Sequence, residues 1–501
     1  MAARLHSLPL FVVLMGIGAL AMLGPAVYAF FADDLHSARV FLYSAVLFFL
    51  LSALIGIATI NNPRRSVLRS HLLALPGAYL LLPVMLAVPF HEAVQNTRFL
   101  NAYFEMVSSL TTTGVTLFDD PGRIGNTLHL WRAIVGWLGG LFIWVSAIAI
   151  LEPLNLGGFE VTASGGIGAV GGSAGAYPAR RLGRHAMRLA PVYAGLTAAL
   201  WLFLTIVGED PFVALCHAMS TLATSGISPL ADLSESTAGL AGEALLFVFF
   251  FFAISRLTFA PETQPDSLRR LSRDPEFRVG LLCVLCVAGI LFLRHWAGAH
   301  AIGEHNNLAA ALGALWGALF TVLSFLSTSG FESASWDASR AWSGLPAPGL
   351  ILVGLAAIGG GVATTAGGVK LLRFYALYKH GAREIERLIH PSSVGGSGSE
   401  ARHLRNQGAY RAWVFFMLFA LSAALVMAAL SLTGLGFDES VILTVSALST
   451  TGPLAEIATE SGNPYIGLGD AGKLILGAAM ILGRLETLAI IALISPEFWR
   501  S

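Results

Sequence analysis

Apolar residues run along this chain in long blocks separated by short polar ones. Ten mostly apolar stretches stand out, at residues 8–31, 39–60, 70–90, 129–151, 188–207, 240–259, 279–296, 349–378, 411–433 and 472–495. A helix needs about 20 such residues to cross the hydrocarbon core of a bilayer. The pattern therefore predicts ten spanning helices. The first stretch also reads as a signal peptide, with Arg4 ahead of it and small residues near Ala29. It is longer than the usual apolar core of a signal peptide, which favours a retained anchor.

Charge in the connecting loops orients the spans. Arg64, Arg65 and Arg69 follow the second, and Arg180, Arg181, Arg184 and Arg188 follow the fourth. Arg269, Arg270, Arg273 and Arg278 follow the sixth, and Lys379, Arg383, Arg387, Arg402, Arg405 and Arg411 follow the eighth. The alternate loops carry acids such as Asp33, Asp34, Glu209, Asp210, Asp232, Glu235 and Glu456. Basic loops stay on the cytoplasmic side, so both termini are expected there, and ten spans give the even parity this needs.

Composition narrows the class further. Of 501 residues, 55% are hydrophobic and 12% charged, about half the charge of a soluble domain. A soluble enzyme, a disordered chain and a nucleic-acid-binding surface are all excluded by this balance and by a net charge of zero. Three cysteines are too few for a disulfide framework. Cys283 and Cys286 lie within an apolar run and read as small helix residues, not as a metal or redox pair.

An internal repeat carries the chemistry. Four outer segments each hold a short half-apolar helix, then hydroxyl residues, then a glycine: Thr112-Thr113-Gly114, Thr224-Ser225-Gly226, Thr328-Ser329-Gly330 and Thr450-Thr451-Gly452. The glycines lie 112, 104 and 122 residues apart. Period at this scale outranks other fold signals. The predicted fold is an all-α polytopic membrane protein, with four span–pore-helix–filter–span repeats around a pseudo-fourfold pore and two extra N-terminal spans. Its expected parts are residues 1–66 for the two extra helices, then pore repeats at 67–180, 181–268, 269–390 (with a broken second helix) and 391–501.

A helix of about ten residues cannot cross the bilayer, so each must re-enter and turn back. Non-helical backbone at that depth is tolerated where it lines a cavity. Glycine permits positive φ, which lets successive carbonyls point the same way. Four such segments about one axis would form a carbonyl ring able to replace the hydration shell of a monovalent cation. Pro453 after the fourth glycine removes an N–H but no carbonyl.

Two further features lie within the apolar spans. Gly359, Gly360, Gly361, Thr364, Thr365, Gly367 and Gly368 crowd the eighth. Each helix-interior glycine costs about 1 kcal/mol, so the helix should break there and leave a loop beneath the filter. Close helix packing through small residues is the competing explanation. Arg484 lies near the middle of the tenth stretch, where a charge should face a pathway or a partner. Lys370 lies late enough in its span to reach the water. Glu105, nine residues ahead of Gly114, either buttresses the first filter or lines an outer vestibule.

With these residues in view, the chain resembles the TrkH/KtrB/HKT superfamily of potassium transporters, and its TrkH branch in particular. The four filter segments carry the resemblance, with 131–140 (WRAIVGWLGG), 274–278 (DPEFR), 359–370 (GGGVATTAGGVK), 482–486 (LGRLE) and 496–500 (PEFWR). It extends over essentially the whole chain. The resemblance implies potassium uptake across the bacterial inner membrane, with the twelve filter residues above as the potassium-binding set and no cofactor. In this superfamily a serine at the first filter glycine goes with sodium permeation; here all four positions are glycine, which favours potassium. Two positions depart from the TrkH pattern: Gly136 stands where glutamine is usual, and the fourth filter keeps Thr450-Thr451. The resemblance also implies a gate formed by the Gly359–Gly368 loop, Lys370 and Arg484. It further implies a homodimer and control by a cytosolic RCK/KTN nucleotide-binding ring.

No nucleotide-binding GxxxxGK[ST] loop or HExxH motif occurs. A sodium-permeable or sodium-coupled relative remains the alternative within transport. An intramembrane hydrolase, the alternative of another class, would leave the fourfold repeat without purpose.

Overall fold

The computed structural model describes residues 9–59, 67–151 apart from 119, 178–255, 271–302, 308–390 apart from 344 and 346, and 408–485 apart from 460 and 461. Every regular element among the described residues is helical. α1 (Leu10–Ala21) and α2 (Leu23–Phe31) form one span bent at Met22, and α3 (Leu35–Thr59) returns antiparallel against both. These are the two extra N-terminal spans.

The four repeats follow in order. The first is α4 (Val67–Val94), the pore helix α5 (Phe99–Leu110) and α6 (Asn126–Ser146), which ends in a π turn, Ala147–Leu151. The second is α7 (Pro178–Val207), α8 (Pro211–Ala223) and α9 (Gly239–Phe250). The third is α10 (Pro275–Ile302), α11 (Leu308–Leu326), α12 (Trp336–Ser343), α13 (Gly349–Ile358) and α14 (Leu371–Ile389). The fourth is α15 (Ala409–Ser431), α16 (Phe437–Leu448), α17 (Leu454–Ala458) and α18 (Asp470–Leu485).

Seven helical stretches among the described residues are long and apolar enough to span a bilayer: Leu10–Phe31, Leu35–Thr59, Leu73–Val94, Asn126–Leu151, Leu182–Val207, Pro275–Arg294 and Ala409–Ser431. The other three predicted spans differ. The sixth is shorter, Gly239–Ala253. The eighth is two helices, because the Gly/Thr cluster breaks it between Ile358 and Leu371. The tenth is described to Leu485, and its remainder lies outside the described residues. The third pore helix runs 19 residues instead of about ten. Its Ala- and Leu-rich start has high helix propensity, which carries the helix further back from the filter.

The hydrophobic pattern explains the packing. Ile57 and Ile206, 71% and 72% exposed, belong to outward faces suited to lipid, while Phe250, Phe320, Leu352 and Leu448 are buried in one continuous core. The second helix of each repeat packs on the pore helix of the next: α6 on α8, α9 on α11, α13 on α16, and α18 back on α5. That last contact closes the ring. Arg98 reinforces it with a two-pronged hydrogen bond to Asp470, at 2.9 and 2.7 Å, and Lys473 reaches Asn101 at 2.8 Å.

Candidate ion pathway

All four pore helices end in the same way. The amides of Thr112, Thr224, Thr328 and Thr450 donate to the carbonyls of Ser109, Thr221, Phe325 and Ala447. The following amides, of Thr113, Ser225, Ser329 and Thr451, donate to Ser108, Ser220, Ser324 and Ser446 at 2.8–3.0 Å. This paired bonding is a Schellman termination, which normally places glycine in the left-handed conformation. Here a threonine occupies that position four times, with φ of 55°, 50°, 57° and 53°. A non-glycine residue there costs about 1–2 kcal/mol. The cost is borne at one equivalent position in every repeat, and it turns the N–H groups of these two residues away from the axis.

The twelve predicted filter residues are brought together in cyclic order. A Cβ on Gly114 would overlap the Ser225 carbonyl oxygen, and one on Gly226 would meet the Ser329 carbonyl oxygen at 2.8 Å. Segment four joins segment one through the Gly452 amide, which donates to the Thr113 carbonyl at 2.6 Å. Positive φ was expected at all four glycines. Gly114, Gly226 and Gly330 have it, at 79°, 65° and 76°. Gly452 does not, because its amide is tied to segment one and Pro453 starts the short helix α17 directly after it. The Pro453 ring lies beside Gly226 and Gly330, so the fourth segment breaks the symmetry of the other three.

The predicted loop lies directly beneath. Thr365 Oγ1 donates to the Leu222 carbonyl at 3.0 Å, and the Gly367 amide donates to Thr328 Oγ1 at 2.8 Å. Arg484, buried, donates from Nη1 to the Thr365 carbonyl at 2.7 Å. The loop is anchored from outside as well: Gly361 and Thr364 bond the Ala253 carbonyl, and the Val362 amide donates to Glu276 at 2.9 Å. A cavity of about 20 Å³ separates Arg484 from Ala147 and Leu151 of the first repeat. Lys370 does not reach for water. It is buried, at φ 87°, and its ammonium donates to the Ala366 carbonyl within the loop, because the break turns its side chain back inward.

Above the filter opens a cavity of about 410 Å³. Gly114, Gly226, Gly330 and Pro453 form its floor, and Asp232, Glu332, Asp337 and Glu456 line it with Arg132 and Arg340. Burial, then the carboxylates of Asp232 and Asp337, push the Glu332 carboxyl up to about 7; Arg340 opposes the rise and Glu456 adds to it. Glu105 is a buttress and not a vestibule residue. It is fully buried, pairs with Arg132 at 3.0 Å, and accepts from the Leu117 amide at 2.6 Å and from Thr116 Oγ1 at 3.2 Å. The Arg132 guanidinium also donates to the Val115 carbonyl at 3.3 Å.

This geometry has counterparts among known proteins. A family model described as TrkH, cation transport protein, matches residues 80–501. The chain belongs to the TrkH family of cation transport proteins. Similar relatives include the Trk system potassium uptake protein TrkH of Escherichia coli K12, 30% identical over 83% of this chain and 82% of that one. Another is TrkG of the same organism, 29% identical over 96% of each. The crystal structure of the potassium transporter TrkH from Vibrio parahaemolyticus superposes over 100% of both chains with a TM-score of 0.82 at 25% identity. The protein is thus a multi-pass membrane transporter and not an enzyme. Several supports of its TrkH-type core have no clear signal in sequence. Glu243, the Thr328 hydroxyl and Tyr465, whose OH donates to the Gly452 carbonyl at 3.0 Å, all act on partners made near only by the fold. Glu276 was visible within the 274–278 motif, but not its bond to Val362.

Proposed function

We propose that this protein takes up potassium across a bacterial inner membrane, through the carbonyls of the twelve filter residues. The observation that carries this reading is the fourfold recurrence of one filter geometry, in which two amides bond back into each pore helix and leave the axis to carbonyl oxygens. Such carbonyls compensate for the lost hydration of a large monovalent cation. The names of the relatives above supply the ion: they are potassium uptake proteins and a potassium transporter.

The loop from Gly359 to Lys370, held by Arg484, acts as the gate. It lies across the path from the filter to the opposite face and is secured by a few hydrogen bonds to groups on three repeats. The guanidinium adds an electrostatic barrier to cations at that point. Arginine-rich loops place both termini in the cytoplasm and offer the docking surface for a cytosolic RCK/KTN ring, and the protein works as a homodimer.

The asymmetry at Gly452 and Pro453 favours a second reading, a broader monovalent cation pathway. Flux of rubidium into liposomes, competed by potassium, sodium and lithium, separates the two. Competition by potassium but not sodium, weakened by Gly114→Ser, supports the potassium filter. Equal competition by sodium supports the broader pathway. No uptake with or without a regulatory ring would overturn both.

A further inference from the structure

The residue nine positions before each filter glycine is Glu105, His217, Thr321 and Leu443 in repeats one to four. In the first three it faces the strand that leaves the filter. Glu105 binds Thr116 and Leu117, two and three residues beyond Gly114. His217 Nε2 lies 2.9 Å from Ser228 Oγ, two residues beyond Gly226. Thr321 Oγ1 accepts from the Ser333 amide, three residues beyond Gly330, at 3.4 Å. The position thus pins the outgoing strand to its own pore helix. The grip weakens along the series, from a carboxylate to a hydroxyl at the limit of hydrogen bonding.

Repeat three has a substitute. Glu243, from α9 of the preceding repeat, is buried with its carboxylate between α11 and the outgoing strand. Oε2 accepts from Trp316 Nε1 at 2.7 Å and from Ser333 Oγ at 2.9 Å; Oε1 accepts from the Ala334 amide at 2.7 Å. No ion pair involves Glu243 among the described residues; these three donors meet its charge. Hydrogen bonds to an ionised acceptor are roughly twice as strong as neutral ones. One carboxylate therefore fixes the pore helix and the exit strand of the third filter at once.

We propose that Glu243 is a positioning residue for the third filter segment, lent across the repeat boundary to supply the brace that Thr321 is too short to provide. The assignment rests on the potassium-filter reading. A binding constellation keeps its productive geometry only when its parts are held to within about 0.5 Å. A loosened third segment should therefore admit sodium before it stops admitting potassium.

The test is rubidium uptake by the full-length protein in liposomes, with sodium as competitor, read as the ratio of the two apparent affinities. Glu243→Ala should lower that ratio about tenfold while the maximal rubidium rate falls less, since two charge-assisted bonds to the exit strand are lost. Glu243→Gln, which keeps one acceptor oxygen, should fall between. Thr321→Glu in the Glu243→Ala background moves the carboxylate to the position Glu105 holds in repeat one and should recover most of the ratio. If Glu243→Ala does not fold, Trp316→Phe and Ser333→Ala each remove one donor with no buried charge added, and each should shift the ratio two- to threefold. A selective wild type with an equally selective Glu243→Ala, or with unchanged Trp316→Phe and Ser333→Ala, would overturn this assignment alone. A wild type indifferent to sodium would overturn the filter reading and the assignment with it.

Discussion

Glu332 should make cation access to the filter dependent on pH. Its carboxyl, two residues beyond Gly330, is pushed up to about 7 first by burial and then by the carboxylates of Asp232 and Asp337, with Arg340 opposing and Glu456 adding to the rise. A group with that pKa is about 9% ionised at pH 6 and about 91% at pH 8, a change of about 0.8 charge at the filter mouth. A unit charge about 4 Å from a cation in a water-like medium is worth about 1 kcal/mol, or about fivefold in occupancy. The sign follows directly. Ionisation appears as pH rises, so uptake from subsaturating potassium should rise about three- to fourfold between pH 6 and pH 8, with little change at saturation. Raising ionic strength should shrink the effect, since the vestibule is open to solvent. Folding stability runs the other way: a carboxyl whose folded pKa is raised gives stability that is present at low pH and is lost as pH rises from its ordinary value through about 7. Glu332→Gln should flatten the uptake profile and hold it near the pH 6 level. The assay is initial rubidium uptake in liposomes with the internal pH fixed. A Glu332→Gln protein that keeps the full pH dependence would refute the reasoning.

Other perturbations follow from the same geometry. Arg132→Met leaves Glu105 as a lone buried carboxylate; breaking a buried pair costs about 3–5 kcal/mol, so the purified protein should lose much of its thermal stability by size-exclusion melting. Adding Glu105→Leu should restore part of it. Gly139→Val should prevent assembly of the first repeat, because its side chain would enter the Leu110 carbonyl at the end of α5; a normal monodisperse peak would count against that contact. Arg484→Gln removes the charge held on Thr365 and should raise the uptake rate severalfold in the absence of any regulatory ring. An unchanged rate would deny the loop and arginine their gating role.

Much of the architecture was legible because adjacent hydroxyl residues and glycines, packed into one short segment, stand out against the scattered single ones inside apolar runs. The four filter segments and the break at Gly359–Gly368 both follow from that contrast. The conformation within the filter was less legible. Left-handed backbone is expected at glycine, yet the threonine two positions earlier carries it in all four repeats, since the end of the pore helix imposes it. Lys370 shows a similar limit: its place along the span suggested water, but the direction of its side chain was set by a chain reversal that periodicity does not encode. Glu243 was hidden more deeply. It stands as one acid in an apolar helix, and its partners lie 73, 90 and 91 residues further along the chain.

The contact between α18 and α5 has a consequence for biosynthesis. The ring is sealed by Gly452 against Thr113, by Asn463 against the Thr116 carbonyl and by Asp470 against Arg98. Each seal joins the last quarter of the chain to its first pore repeat. Chains leave the ribosome from the N-terminus at roughly 5–20 residues per second, so the first filter segment must wait on the order of half a minute for its final neighbour. Until α18 arrives there is no enclosed conduit, only an open arc of helices with its polar turn unsheltered. A nascent or truncated copy that lacks the last repeat therefore lacks the contacts that close the ring.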